Sequence, residues 1–226
     1  MHILKLCPKL LKDFIYKFIY FIFKLLRPKH FFFNGKKIQY ENSFYNTSFF
    51  NERTVEIPMV KEIISSYKRN NFLEIGNVLQ HYNYPESRVI VDKYEVSQNV
   101  INEDIETYST QTKFNLIVSI STLEHVGLDE GEMVTDKDKL QRCILNISNN
   151  LLDKEGVLIV TLPVNYNENV DKFIRENTIF QEKFFMKKDS LLLNTWKKVS
   201  FDDLTVKNRS KPILIEEVFF GIYRKN

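Results

Sequence analysis

The sequence predicts an α/β fold in which a mostly parallel sheet is doubly wound, with helices on both faces. Short apolar segments rich in β-branched residues recur from residue 71 onward, and a helical pattern separates two of them. One segment, Phe114-Asn-Leu-Ile-Val-Ser119, runs directly into small polar residues, an acid and a histidine. An unbroken apolar run is typical of a buried parallel strand, and ligands bind beyond the carboxyl ends of such strands. We therefore expect a core strand that delivers polar side chains to a binding crevice.

The size and composition fit one globular domain with extensions. A chain of 226 residues with 43% hydrophobic and 27% charged residues can bury a sizeable core. Cys7 and Cys143 lie far apart, which indicates a reducing compartment rather than a disulfide framework. No cysteines stand at metal-ligand spacing, so no metal site is predicted.

The charge is distributed unevenly along the chain. Residues 1–30 carry seven basic side chains against Asp13 alone, a net charge of +6, which leaves the remainder at −3. Phosphate backbones bind to basic surfaces, so the mildly acidic body argues against nucleic acid as a partner. The basic N-terminus is therefore the segment expected to bind an anionic partner.

Residues 1–30 are predicted to be a basic amphipathic helix that lies on a membrane surface. Lysines interrupt the apolar residues so often that the longest charge-free aromatic stretch is Phe18 to Phe23, whereas a spanning helix needs about 20 apolar residues. Within residues 3–27, six basic residues fall roughly on one helical face beside a broad apolar face: Lys5, Lys9, Lys12, Lys17, Lys24 and Arg27. This pattern suits an anionic membrane interface. Packing on the protein body, self-association and a true span remain open alternatives.

Residues 31–70 are predicted to form an N-terminal cap, the segment in which a fold of this class commonly places substrate-binding residues. A hairpin turn is expected at Asn34-Gly35, and a helix is expected over Thr54–Tyr67. Asn46 and Arg53 are the candidate substrate-binding residues. The arginine can hold a phosphate or carboxylate bidentately, although a salt bridge with a neighbouring glutamate is an equal alternative.

Residues 71–226 are predicted to hold the sheet. The segments Phe72–Ile75, Arg88–Val91, Asn115–Ser119 and Val157–Leu162 read as strands, and Lys137–Leu152 reads as a helix between the last two. Strand, helix and strand at this spacing imply a right-handed crossover and a parallel sheet. Ser190–Trp196 and Ile213–Tyr223 are expected as further strands, the last one antiparallel at the edge.

Acids follow the ends of successive predicted strands. Phe72-Leu-Glu-Ile-Gly-Asn77 ends the first strand with Glu74 and Gly76, and a glycine permits a tight turn and a close ligand approach. Asp92 ends the second strand, where a carboxylate can hold a ribose diol, and Asp104 follows in the next loop. Because parallel strands end at one edge, these acids predict a shared crevice.

Together with the segment Leu116–Gly127, these motifs resemble the class I S-adenosylmethionine-dependent methyltransferases, whose fold is Rossmann-like. The resemblance covers about residues 71 to 162 and implies S-adenosylmethionine as the cofactor. The cofactor-binding residues that it implies are Glu74, Gly76, Asn77, Asp92, Asp104, Ile105 and Ser119. The cofactor loop departs from the family pattern, because it has one glycine instead of two or three and is short for a helix plus a strand. Asn77 is expected to supply contacts that backbone amides usually make.

His125 and Asp129 are the candidate catalytic residues. Either can act as the general base if the acceptor is a hydroxyl, whereas His125 can equally be a structural hydrogen-bonding residue. The expected function is methyl transfer to a small-molecule or glycan acceptor, such as a lipid-linked precursor, by a cytoplasmic protein bound peripherally to the membrane. Two alternatives remain: a catalytically inactive binding or scaffold protein of the same fold, and a transferase that uses a nucleotide-linked donor.

Overall fold

The computed structural model describes residues 9–85, 87–128, 136–176, 179–205 and 214–226. In these ranges the elements are, in chain order, α1 (Lys9–Leu26), β1 (His30–Phe33), β2 (Lys36–Gln39), α2 (Arg53–Ile64), β3 (Phe72–Ile75), β4 (Val89–Val91), β5 (Phe114–Ile120), α3 (Lys139–Asn146), β6 (Leu152–Pro163), α4 (Glu168–Glu176), β7 (Glu182–Ser190), β8 (Thr195–Val199) and β9 (Glu217–Arg224). The four strands predicted between residues 72 and 162 are all present. The predicted helix before β6 is also present, as α3 and a π-helical turn over Ile147–Leu151.

Seven strands form one sheet in the order β4-β3-β5-β6-β9-β7-β8. Strands β4, β3, β5 and β6 pair in parallel, while β9 is antiparallel to both of its neighbours and β8 is an antiparallel edge strand. The predicted doubly wound, mostly parallel sheet with an antiparallel edge strand is therefore confirmed. The final strand differs from expectation in its place, because β9 lies inside the sheet. Its residues from Val218 to Ile222 are buried, as an interior position requires.

The two faces of the sheet carry separate apolar cores. Leu116, Val118 and Ile120 of β5 face α2 and the β1–β2 hairpin, whereas Ile117 faces the side covered by α3 and α4. This division follows from the alternation of side chains along a strand. The predicted cap, residues 31–70, thus packs on the sheet as part of the same core.

The C-terminal hairpin corrects one prediction. The predicted strand Ser190–Trp196 spans the turn between β7 and β8, and its Leu191 and Leu192 are exposed. The turn is fixed by Asn194, which has a φ of 48° and donates hydrogen bonds from Nδ2 to the carbonyls of Phe49 and Asn51. These partners lie more than a hundred residues earlier in the chain. The local apolar pattern could not reveal the turn and predicted a strand instead.

The helix α1 is docked on the body at its C-terminal end. Phe23 is buried in edge-to-face contact with Phe49, and the buried guanidinium of Arg27 donates to the Phe49 carbonyl at 3.0 Å and to Thr54 Oγ1 at 2.9 Å. Burial lowers the pKa of Arg27 to about 10. The prediction that Arg27 belongs to an outward basic stripe is therefore wrong, because its partners lie inside the protein.

The opposite face of α1 is apolar and exposed. Phe14, Phe18, Phe21 and Leu25 are each more than half exposed, and the exposed Lys17 and Lys24 lie beside this face. Among the helices of the described ranges, none has the length and apolarity that crossing a bilayer requires.

Candidate active site

A cavity of about 320 Å³ opens at the carboxyl ends of β3, β4 and β5. Its lining comes from these strand ends and their loops, with one contribution from α3: Ile75, Val91, Asp92, Lys93, Tyr94, Glu103, Asp104, Ile105, Ser121, Thr122, Leu123, His125, Val126, Gly127, Leu128 and Lys139. The first strand of the parallel sheet, β3, has β4 on one side and β5 on the other, so the cavity lies where the strand order reverses. Such a switch point is the usual ligand site of an open α/β sheet.

Asp92 occupies the end of β4 and lines the cavity. Its Oδ1 accepts the backbone N–H groups of Tyr94 and Glu95, both at 2.8 Å, which shapes the loop after the strand. The carboxylate thereby has a fixed direction at the rim. This position agrees with its predicted place, while its role toward a ribose stays a prediction.

Asp104 and Ile105 form another wall of the same cavity. Ile105 is buried, and Asp104 Oδ2 lies 2.7 Å from Lys139 Nζ and 3.4 Å from Lys93 Nζ. Burial opposes ionisation of Asp104, but the two lysines and the backbone N–H of Glu106 together outweigh it and hold the pKa of the carboxyl below its usual value. The two lysines carry no local sequence signal, and the fold alone brings them to the site.

Glu74 braces the loop after β3 instead of lining the cavity. The carboxylate is completely buried, and its Oε1 accepts the N–H groups of Val78 at 2.9 Å and Leu79 at 2.7 Å. Its Oε2 forms an ion pair with Arg88, although burial still raises the pKa of Glu74. The expected direct contact with a cofactor therefore finds no support in this geometry.

Gly76 and Asn77 follow Glu74 in the loop after β3 and are not among the residues that line the cavity. Gly76 has a φ of +83°, and a Cβ atom there would overlap Thr122 Oγ1, so both backbone and space require glycine. Asn77 donates from Nδ2 to Glu95 Oε1 at 2.6 Å, while its buried Oδ1 has no hydrogen-bond partner within the described ranges. This oxygen can accept a hydrogen bond from a ligand.

Of the polar residues that end β5, Ser121 and Thr122 line the cavity and Ser119 does not. Ser119 is fully buried within the strand, and its Oγ is also without a partner among the described residues. Ser121 has a φ of 37° and donates its hydroxyl to Glu56. Strand β5 thus ends at Ile120, one residue later than the predicted strand.

Neither predicted substrate-binding residue lines the cavity. Arg53, the first residue of α2, donates to the carbonyls of Ile120 at 3.0 Å and Ser121 at 3.3 Å, and its Nη1 lies 3.3 Å from Glu56 Oε2. Its guanidinium therefore holds α2 against the end of β5. Asn46 is exposed on the preceding loop, with a φ of 48°.

Glu124 is a buried carboxyl that stands in the chain between Leu123 and His125, two residues of the cavity wall. The residue is 3% exposed, and its Oε2 has no hydrogen-bond partner in the part of the chain that is described. Burial raises the pKa of Glu124 to about 8, although the nearby guanidinium of Arg53 opposes the rise. The group is therefore mainly protonated at neutral pH.

His125 is the residue of the cavity wall best placed to exchange a proton with a ligand. Its side chain is 54% exposed, its Nε2 lies 3.7 Å from Glu124 Oε1, and its Nδ1 lies 3.4 Å from the Tyr166 hydroxyl. An imidazole between a carboxyl and a phenol can pass a proton between the cavity and solvent. Asp129, the other predicted catalytic residue, lies outside the described residues.

The raised pKa of Glu124 predicts a pH-dependent stability. Because its folded pKa lies above the unfolded value, the native state binds more protons between about pH 4.5 and pH 8, and the free energy of unfolding falls as the pH rises through this window. The E124Q substitution should reduce this fall by on the order of 3 kcal/mol, at about 1.4 kcal/mol per pKa unit. Denaturant titrations at pH 5 and pH 8.5 measure it, with E176Q as an exposed control. Equal pH dependence in all three proteins would contradict the assignment.

Comparison with known proteins identifies the fold to which this structure belongs. No protein-family model and no curated protein matches the chain. Among solved structures, the N-methyltransferase NodS from Bradyrhizobium japonicum WM9 in complex with S-adenosylhomocysteine is 16% identical, with a TM-score of 0.50 over 77% of this chain and 87% of that chain. A Thermotoga maritima S-adenosylmethionine-dependent methyltransferase is 14% identical, with a TM-score of 0.46 over 80% and 95% of the chains. The likeness to NodS shows that the chain has the Rossmann-like fold of class I S-adenosylmethionine-dependent methyltransferases.

Proposed function

We propose that the protein is an S-adenosylmethionine-dependent methyltransferase that acts at the cytoplasmic surface of a membrane. The observation that carries the enzymatic part is the cavity at the strand ends, where Asp92, Asp104 and Ile105 meet from separate loops. The solved structure of NodS, which shares the fold, contains S-adenosylhomocysteine, the demethylated form of this cofactor. A fold likeness alone does not assign a ligand, so the proposal depends on the residues of this cavity.

The residues present fit an adenosyl group. The Asp92 carboxylate suits the ribose hydroxyls, and the apolar side chains of Val91, Ile105 and Leu123 offer a slot for a flat base. The spare Asn77 Oδ1 suits the amino group of the cofactor's amino acid end. When bound, S-adenosylmethionine supplies a methyl group already activated by its sulfonium.

The protein's task is then mainly positioning and exclusion of water. Leu123, Val126 and Leu128 give the acceptor side of the cavity an apolar wall, which keeps water from the reacting atoms. His125 can take or relay the proton that the acceptor loses. The proposed acceptor is a small molecule or a glycan, for which a lipid-linked precursor suits the location.

The membrane part of the proposal depends on α1. Its exposed apolar face of Phe14, Phe18, Phe21 and Leu25 has flanking lysines, and residues 1–30 carry a net charge of +6. An apolar face beside basic residues favours an anionic lipid surface. The buried Arg27 fixes the end of α1 to the body, so membrane contact would orient the whole domain.

One observation favours the alternative of an inactive binding or scaffold protein of the same fold. The space beside Gly76, which a ligand would approach closely, is filled by the side chain of Thr122. A methyltransferase requires Thr122 to move when the cofactor enters, whereas a scaffold does not.

Cofactor binding tests the enzymatic proposal. Calorimetry should show S-adenosylhomocysteine binding to the full chain, and D92N should weaken it about 10- to 100-fold because a charge-assisted hydrogen bond is lost. The exposed Asp202 supplies a matched control, D202N, which should bind like the parent. Absence of binding at millimolar ligand would favour the inactive protein.

Vesicle sedimentation tests the membrane proposal. The full chain should bind vesicles of phosphatidylcholine with 30% phosphatidylserine, and F18D should bind at least about 10-fold more weakly because it places a charge in the apolar face. F32D changes a phenylalanine of the β1–β2 hairpin that is 69% exposed, against 56% for Phe18, and should bind normally. If the two variants bind equally, α1 is not the membrane contact.

A further inference from the structure

A carboxylate cluster lies behind the cavity wall, made of Glu52, Glu56 and Glu124 around Arg53. Glu56 accepts the Ser121 hydroxyl and contacts Arg53 at 3.3 Å, which ties the cluster to the cavity rim. The carboxylates of the cluster raise the pKa of Arg53 despite its burial. The three carboxyl groups thus surround one permanent positive charge, the guanidinium of Arg53.

Two further side chains of the described residues interact with this cluster: Lys188, and the imidazole of His125, whose Nε2 lies 3.7 Å from Glu124 Oε1. Lys188 on β7 lies near Glu52 and also 5.1 Å from the centre of the Trp196 ring. Burial lowers the pKa of Lys188 to about 8, while Glu52 partly supports its charge. If all three carboxyls were ionised beside a neutral His125, Arg53 and Lys188 would leave the cluster one positive charge short of neutrality, and the proton on Glu124 makes up that difference.

Glu124 is the carboxyl of the cluster for which no positive charge remains. Glu56 has Arg53 and Ser121, and Glu52 has the fields of Arg53 and Lys188, whereas Glu124 Oε2 has no hydrogen-bond partner in the described ranges. A buried carboxyl without a partner is costly, and a glutamine of the same shape would avoid its ionisation. The neighbouring residue, His125, is part of the cavity wall. A cation that enters past His125 would therefore meet a protonated acid whose Oε2 has no hydrogen-bond partner among the described residues.

We propose that the acceptor is an amine that arrives as an ammonium cation and is recognised and deprotonated by Glu124. The inference rests on the proposed function, since it names the nucleophile of that same site. An alcohol would bring no charge to the cluster and would leave the Glu124 carboxyl protonated. The excess of carboxyls therefore selects for an amine over a hydroxyl.

Protons, atoms and charge balance over the proposed reaction. Arrival of the ammonium causes the protonated Glu124 to release its proton to solvent, with His125 as the relay, and a carboxylate–ammonium pair forms. The nitrogen passes one proton to Glu124, and its lone pair then forms the N–C bond to the methyl group. The S–C bond breaks with its electron pair on sulfur, which changes the sulfonium to a neutral thioether. The product leaves as an N-methylammonium ion, and Glu124 is protonated again.

The experiment uses matched probes on the full chain: glucosamine with glucose, and octylamine with octanol. Transfer of a labelled methyl group from S-adenosylmethionine is followed by mass spectrometry. We expect at least one amine to be methylated with a kcat/KM at least 100-fold above that of its alcohol. Calorimetry in buffers of different ionisation heat should show about one proton released when that amine binds at pH 7.

Variants separate recognition by Glu124 from a structural role. E124Q should lose the proton release and at least 100-fold of the amine kcat/KM, while it still binds S-adenosylhomocysteine like the parent. E176Q removes an exposed glutamate of α4 and should change neither quantity. If E124Q retains both amine methylation and proton release, the inference is overturned.

The same measurements distinguish a failure of this inference from a failure of the proposed function on which it rests. If S-adenosylhomocysteine does not bind, the proposed function fails and this inference fails with it. If it binds and the alcohols are methylated in preference, or neither amine is bound or methylated, only the assignment of the amine is overturned.

Discussion

The ion pairing of Arg53 is the interaction on which the site depends. Its guanidinium connects the start of α2 to the last carbonyls of β5 and to Glu56, across a boundary where two elements would otherwise bury unpaired polar groups. Strand β5 pairs with β3 and β6 near the middle of the sheet, so its end sets the position of Ser121 and Thr122 on the cavity wall. Removing this cation would leave a group of buried carboxyls with little compensation.

A second buried acid, Glu74, stabilises the short loop that follows β3. Glu74 binds two amides of its own loop and the side chain of Arg88, and a short 3₁₀-helix over Leu79–Tyr82 follows instead of a full α-helix. The carboxylate fixes the loop, which reduces the need for further glycines. This compact connection has two consequences. The loop has only one glycine, and the Thr122 side chain occupies the space beside Gly76.

The sequence predicted most of the parallel sheet, because buried parallel strands are apolar runs that need no distant information. It also placed Asp92, Asp104, Ile105 and His125 at one edge, since strand ends define that edge. Its failures involve distant partners: Arg27 turns inward to reach Phe49, and Asn194 sets a turn where an apolar run suggested a strand. The state of Glu124 also depends on Arg53, which is 71 positions earlier, so no local pattern could identify it.

A crystal structure of the full chain with S-adenosylhomocysteine tests the central claim most directly, namely that one cavity at the strand ends holds an adenosyl group. The account predicts the ribose against Asp92, the base beside Ile105, and Thr122 displaced from Gly76 by the amino acid end of the ligand. A ligand bound on another surface, or within the cavity but away from both Asp92 and Ile105, would contradict it.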